Sequence, residues 1–325
     1  MTLKMLAGAA LYPQPKGATA ELLVSQAQTA MSAAAVSGSV SWTLFDPARQ
    51  AEDADTARLA LESVLRSRKI VEALTTFQED DSLSLEYQPI LQLWTGSVEG
   101  FECTVRLRVP ELGMVSAGEL IPLAQANGMM MKVGRYVLKE ACRRIRILRL
   151  RQKQDLYISV NISAQQLDDP VFTDTVYLTL KETSLPGSAL QLEISERIMD
   201  TIVAQADKLR VLRQLGVRVA LDDYGAGTGS LACLYNMPLD ILKVSRNFLI
   251  GASFSMGKEF ILKTMVDLAH NLNLKVAAVG VEHTSRLNTL MKLGYDMAQG
   301  YHFCPPLEPA ALEVFLDTRA QERMH

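Results

Sequence analysis

Asp222 and Asp223 stand side by side after a short apolar run, residues 219–221, and a loop with three glycines (225, 227 and 229) follows at once. Paired carboxylates where a buried strand meets solvent sit where an α/β barrel carries its metal ligands. The glycines admit positive φ or a closely approaching ligand. Asp-Asp-x-Gly also makes ordinary turns, so the pair gains its meaning from what stands at the other strand ends. Those positions carry Glu102, Asn161, Glu193, Lys243, Val279 and Gln299. Taken singly, each polar one also reads as half of a barrel-end salt bridge. A buried carboxylate is costly unless it is paired or bound to metal, and several from different strands at one barrel mouth make a catalytic or metal site. The donors are hard oxygens without histidine or cysteine, which favours Mg²⁺ or Mn²⁺ over Zn²⁺. Asp222 can bridge two ions with Asp223 on the second, and Lys243 can neutralise phosphate charge or orient a water.

The elements that must position these residues follow from the apolar pattern. Strands are predicted at 85–93, 98–108, 156–162, 190–194, 217–222, 239–244, 274–279 and 295–299. Helices are predicted between them at 117–128, 133–152, 170–183, 203–215, 255–273, 284–293 and 308–318. This alternation predicts an α/β fold, a closed (β/α)8 TIM-type barrel. The first two strands are joined by a tight turn at Thr95-Gly96, hairpin chemistry that makes one barrel strand antiparallel to its neighbour. Ahead of the barrel, residues 1–46 read as a small strand–helix–strand piece: strand 3–12, helix 18–35, strand 39–45. Residues 47–78 read as one long helix, with Asp46 at the N-cap and Pro47 at the first helical position. Its stripe is Leu59, Leu61, Val64, Leu65, Ile70, Val71 and Leu74. Such a helix serves as a spacer, a dimer seam, a signal rod or a cap on the next domain. The predicted division is 1–46, 47–83 and 84–325.

Bulk properties bound the function. The 325 residues suffice for one large barrel or two domains. A formal net charge of −3 gives no broad basic field, so no nucleic-acid partner is expected. Cysteines 103, 142, 233 and 304 form no C-x-x-C pair and are expected to be reduced thiols in a cytoplasmic protein. The four histidines lack ligand spacing. No apolar run spans a membrane, and the N-terminus lacks signal-peptide character, opening instead like a strand entered in mid-domain.

Residues 84–318 resemble the EAL family, the cyclic di-GMP phosphodiesterase domains of bacteria. The resemblance rests on EYQPI (86–90), GFECTVR (100–106), LIPLAQANG (120–128), VNIS (160–163), LEISE (192–196), DDYGAG (222–227), LKVS (242–245), VAAVGVE (276–282) and QGYHF (299–303). It implies a barrel with a reversed first strand. It implies that Glu102, Asn161, Glu193 and Asp222 hold a first metal and that Asp223 serves a second. Glu196 would brace the glycine-rich loop, Lys243 and Gln299 would stand beside the reacting phosphate and its water, and Gln88 and Arg106 would hold the dinucleotide. Residues 1–46 resemble, more weakly, the tail of a GGDEF domain, and residues 47–80 the connecting helix of tandem GGDEF–EAL proteins. The metal and nucleotide motifs of a synthase are not in the chain. EAL domains pair through barrel-side helices, so the resemblance implies a homodimer, with a sensor domain or protein partner beyond this chain.

The departures bear on chemistry. The signature tripeptide is Glu102-Cys103-Thr104, with Thr104 where the family packs a leucine on guanine. Gln125 replaces a glutamate, and the loop reads DDYGAGTGSL, with Thr228 and Gly229 altered. Ser245 stands where the family has an aspartate and Val279 where it has a glutamate, the family's candidate base or second-metal partner. Glu282 lies three residues on and would point elsewhere from a strand over 274–279. Loss of such groups costs orders of magnitude in rate. The favoured expectation is therefore a degenerate EAL domain that binds cyclic di-GMP as a receptor with little or no hydrolysis. A metal-dependent phosphodiesterase producing pGpG and a nucleotide-free protein-interaction module are the alternatives.

Overall fold

A computed structural model describes residues 7–9, 27, 42–44, 50–80, 82–198, 203–226, 231–249 and 256–322. The chain divides into two compact units, residues 1–75 and 76–325. In the first, β1 (Ala7–Ala9) pairs in parallel with β2 (Trp42–Leu44), as the strand–helix–strand reading expects. The helix expected at 18–35 and the cap at Asp46-Pro47 lie outside the described residues. Helix α1 runs Gln50–Asp80. Its expected stripe is not uniformly buried: Ile70 and Leu74 are covered, whereas Leu61, Val64 and Leu65 are exposed.

The second unit is a closed barrel. Its strands are β3 (Leu83–Gln92), β4 (Val98–Val109), β6 (Tyr157–Ile162), β7 (Leu190–Ser195), β8 (Arg218–Tyr224), β9 (Ile241–Val244), β10 (Lys275–Val279) and β11 (Met297–Gln299). The order β3-β11-β10-β9-β8-β7-β6-β4 is closed by β3–β4 pairing, and β5 (Gly113–Val115) adds an edge to β4. β3 is antiparallel to both neighbours, and the other barrel pairs are parallel. The hairpin follows from its turn: Gly96 takes φ +67°, and the Gln92 side-chain oxygen accepts from Thr95 N at 2.5 Å and Thr95 Oγ1 at 2.9 Å.

Helices cover the outside: α2 (Ala117–Ala126), α3 (Met130–Gln152), α4 (Ala164–Asp168), α5 (Phe172–Thr183), α6 (Ala206–Gln214), α7 (Leu231–Asn236), α8 (Met256–Asn271), α9 (Thr284–Leu293) and α10 (Leu312–Glu322). α3 shows why they form. Val133, Val137, Leu138, Ala141, Ile145 and Leu148 recur at helical spacing and are all buried. The pattern missed β5, α4 and α7, which are too short to show a period. β9 and β11 begin two residues later than expected, and α10 begins at 312 rather than 308.

Inside the barrel, alternate residues of each strand form layers. The lower layer is apolar: Ile90, Tyr157, Ala220, Ile241, Ala277 and Met297. Gly100 belongs to the same level, because a Cβ there would lie 2.4 Å from the Tyr157 carbonyl oxygen and 2.7 Å from its ring. Two residues further along, β4, β6, β8, β9 and β11 turn polar at Glu102, Ser159, Asp222, Lys243 and Gln299, whereas β10 carries Val279.

Candidate active site

The polar layer holds Glu102 on β4, Asn161 on β6, Glu193 on β7, Asp222 on β8, Lys243 on β9 and Gln299 on β11. Lys243 is its centre. The Lys243 Nζ donates to Glu193 Oε1 and Oε2, both at 2.6 Å, and to Glu102 Oε2 at 2.8 Å, with Asp222 Oδ1 at 3.6 Å. Gln299 Nε2 donates to Glu102 Oε2 at 2.6 Å, and Asn161 Nδ2 to Glu102 Oε1 at 3.0 Å. Thus six residues named from strand ends meet in one network. Just past Asn161, Ser163 and Gln166 form a capping box that starts α4 and fixes where the chain leaves β6.

Burial and mutual charge set the protonation of this cluster. Burial alone would lower the Lys243 ammonium, but Asp222, Glu102 and Glu193 outweigh it and hold it well above the usual lysine range. Burial, then the Glu102 charge, pushes the Glu193 carboxyl up to about 8. Asp222 is raised, chiefly by burial. Burial would also raise Glu102, but Lys243 and the bonds from Gln299 and Asn161 bring it below its ordinary value.

Asp223 sits apart from the ammonium. It takes φ +57°, and its Oδ1 accepts from Ser245 Oγ at 3.3 Å. Ser245 is buried and starts the short turn after β9. Val279 ends β10 in register with Gln299 and brings no polar group to the mouth. Glu282 is half-exposed and faces Arg246 at 3.7 Å. Glu196 Oε2 accepts from Gly225 N at 2.9 Å, bracing the loop after β8. Gly225 needs its glycine: φ is +90°, and a Cβ would lie 2.3 Å from the Phe248 ring.

On β3 and β4, Gln88 pairs across from Glu102 and Glu86 across from Thr104, so these groups line one face with Arg106. Arg106 Nε donates to Glu86 Oε2 at 2.8 Å, and Gln88 Nε2 approaches the Cys304 carbonyl at 3.5 Å. Gln125 is exposed near the end of α2, and Thr228 and Gly229 lie outside the described residues. Cys103, Cys142 and Cys304 are free thiols, as expected.

Strand-end reasoning missed Ser159 and Gln191, each two residues before a named ligand candidate. Ser159 Oγ donates to Glu193 Oε1 at 2.6 Å, and Gln191 Nε2 donates to Ser159 Oγ at 2.9 Å. A polar residue in phase with Asn161 or Glu193 inside an apolar run was the available signal.

The donor set suits a hard divalent cation, and Gln299 Oε1 is buried in the same layer without a partner. Among the described residues, no three acidic, histidine or cysteine groups already form a cage. Glu102, Glu193 and Asp222 instead share the Lys243 ammonium as their common partner.

The EAL domain profile matches residues 70–306. The chain belongs to the EAL domain family. The cyclic di-GMP phosphodiesterase NbdA of Pseudomonas aeruginosa is 37% identical over 97% of this chain and 39% of its own length. This EAL chain spans less than half the length of the first curated relatives it matches. Among solved structures, the PaMucR phosphodiesterase in complex with c-di-GMP is 32% identical, with a TM-score of 0.71 over 75% of this chain and 99% of that one. The EAL domain of FimX from Pseudomonas aeruginosa, bound to c-di-GMP, is 25% identical with a TM-score of 0.67, covering 73% and 96%. These EAL structures share the closed barrel. Among the described residues, no helix is long and apolar enough to cross a membrane.

Proposed function

We propose that this EAL domain binds cyclic di-GMP at the carboxyl-terminal mouth of its barrel as a cytoplasmic signalling receptor, with little or no hydrolysis. The observation that carries this reading is the asymmetry of the mouth. One side keeps Glu102, Asn161, Glu193, Asp222, Lys243 and Gln299 in a connected polar network. The other places Asp223 against an uncharged Ser245, with Val279 at the end of β10. In this reading Arg106 and Gln88 hold phosphate and base, and Thr104 lies along the same face. Glu102, Asn161, Glu193 and Asp222 would hold Mg²⁺ or Mn²⁺, with Asp223 toward a second ion. A bound cation would neutralise phosphate charge and activate a water. Glu196 keeps the β8 loop in place through Gly225, while Val279 supplies no side-chain oxygen to receive a proton.

A second reading, a phosphodiesterase releasing pGpG, draws support from the surviving network, since a receptor has no evident need of a buried lysine among three carboxylates. The name of NbdA points the same way for that relative. We further read residues 1–46 as a GGDEF-like remnant, an assignment supported by the parallel β1–β2 pair. Calorimetric titration with cyclic di-GMP in Ca²⁺ tests the binding half of the proposal. Heat of binding is expected, and its absence would leave a protein-interaction module as the better account.

A further inference from the structure

Glu193 is held by more than Lys243. Its Oε1 accepts from Ser159 Oγ at 2.6 Å, from Gln191 Nε2 at 3.3 Å and from Lys243 Nζ at 2.6 Å. Its Oε2 accepts from Lys243 at 2.6 Å. Ser159, Gln191 and Glu193 are all buried, and the layer beneath them is apolar. Gln191 also leaves its Oε1 buried without a partner. An unpaired buried amide oxygen costs stability that an apolar side chain would not. The amide is therefore better explained by what its NH₂ does than by packing. Turning it over would set its oxygen against the Glu193 carboxylate.

We infer that Ser159 and Gln191 are positioning residues that hold the Glu193 carboxylate through Oε1 and so set the orientation in which it would meet a divalent cation. The inference rests on the reading of this layer as a cation site. Outer hydrogen bonds of this kind orient a ligating carboxylate, and their loss typically weakens metal affinity by about 10–100-fold. The sequence carries the pair two residues behind Asn161 and Glu193, so the strand pleat places ligand candidates and supports on one face.

The test uses the full chain and Mn²⁺, with free Mn²⁺ followed by electron paramagnetic resonance and the unfolding temperature by calorimetry. Ser159→Ala and Gln191→Met are each expected to weaken Mn²⁺ binding by about 10-fold or more with little change in unfolding temperature. Ser159→Thr, which keeps the hydroxyl, should restore affinity. Gln191→Met is close in volume and serves even if Ser159→Ala folds poorly. Unchanged affinity in both deletions, or a loss that threonine does not restore, would overturn the inference and leave the cation site standing. No Mn²⁺ bound by the unmodified chain would overturn the cation reading itself and the inference with it.

Discussion

The Lys243 ammonium lies 2.6 Å from each carboxylate oxygen of Glu193, inside a barrel whose adjacent layer is apolar. Glu102 and Asp222 approach the same ammonium from two other strands. Lys243→Met would leave buried carboxylates facing one another. Breaking a buried pair from one side costs about 3–5 kcal/mol. In a domain of this size the unfolding temperature should fall by about 10 °C, measured by calorimetry without divalent ions. A fall within the error of the scan would contradict the central role given to the ammonium.

The same cluster sets a pH dependence. Burial and the Glu102 charge raise the Glu193 carboxyl to about 8, above its unfolded value of 4.5. Between those values the folded state binds more protons than the unfolded state, so the slope of unfolding free energy against pH is negative. This contribution is fully present below about pH 4.5 and is lost as pH rises through about 8. Without divalent ions, the unfolding temperature of the unmodified chain should therefore drift down over this window. Glu193→Gln should flatten that part of the profile, and an unchanged profile would contradict the assignment.

Arg106 and Glu86 form a partly buried ion pair on the face shared with Glu102. If Arg106 holds a ligand phosphate, Arg106→Ala removes a charged hydrogen bond of about 1.5–3 kcal/mol. The dissociation constant for cyclic di-GMP should rise by about 10–100-fold with little change in unfolding temperature. Equal affinity in the variant would place the dinucleotide elsewhere.

Ser245 and Val279 are the two positions on which the proposed loss of turnover rests. The double substitution Ser245→Asp with Val279→Glu returns two side-chain carboxylates beside Asp223 and Gln299. Catalytic acid–base groups contribute about 10²–10⁴-fold. Release of pGpG by the double variant, followed by chromatography in Mg²⁺ or Mn²⁺, should exceed that of the unmodified chain by at least about 100-fold. Equal rates would mean that the barrel mouth has diverged beyond these two residues.

The barrel and most of its mouth were legible because buried parallel strands read as apolar runs, and a polar residue ending such a run needs a reason. Boundaries were less legible where side chains replace ladder bonds. Asp240 Oδ2 accepts from Val219 N and Asp296 Oδ2 from Val276 N, each just ahead of a strand, so β9 and β11 start after the apolar run has begun. The short α4 and α7 carry too few residues to express a helical period. Ser159 and Gln191 escaped because they lie one pleat below the strand ends. Their role depends on cross-strand contacts that residue spacing alone does not reveal. The central place of Lys243 was hidden for the same reason, since three different strands supply its partners.

The most direct measurement is calorimetric titration of the full chain with cyclic di-GMP in Ca²⁺, followed by product analysis in Mg²⁺ and in Mn²⁺. The account predicts binding heat and intact cyclic di-GMP in every metal. Accumulation of pGpG at a catalytic rate would contradict it and show that the mouth tolerates Ser245 and Val279.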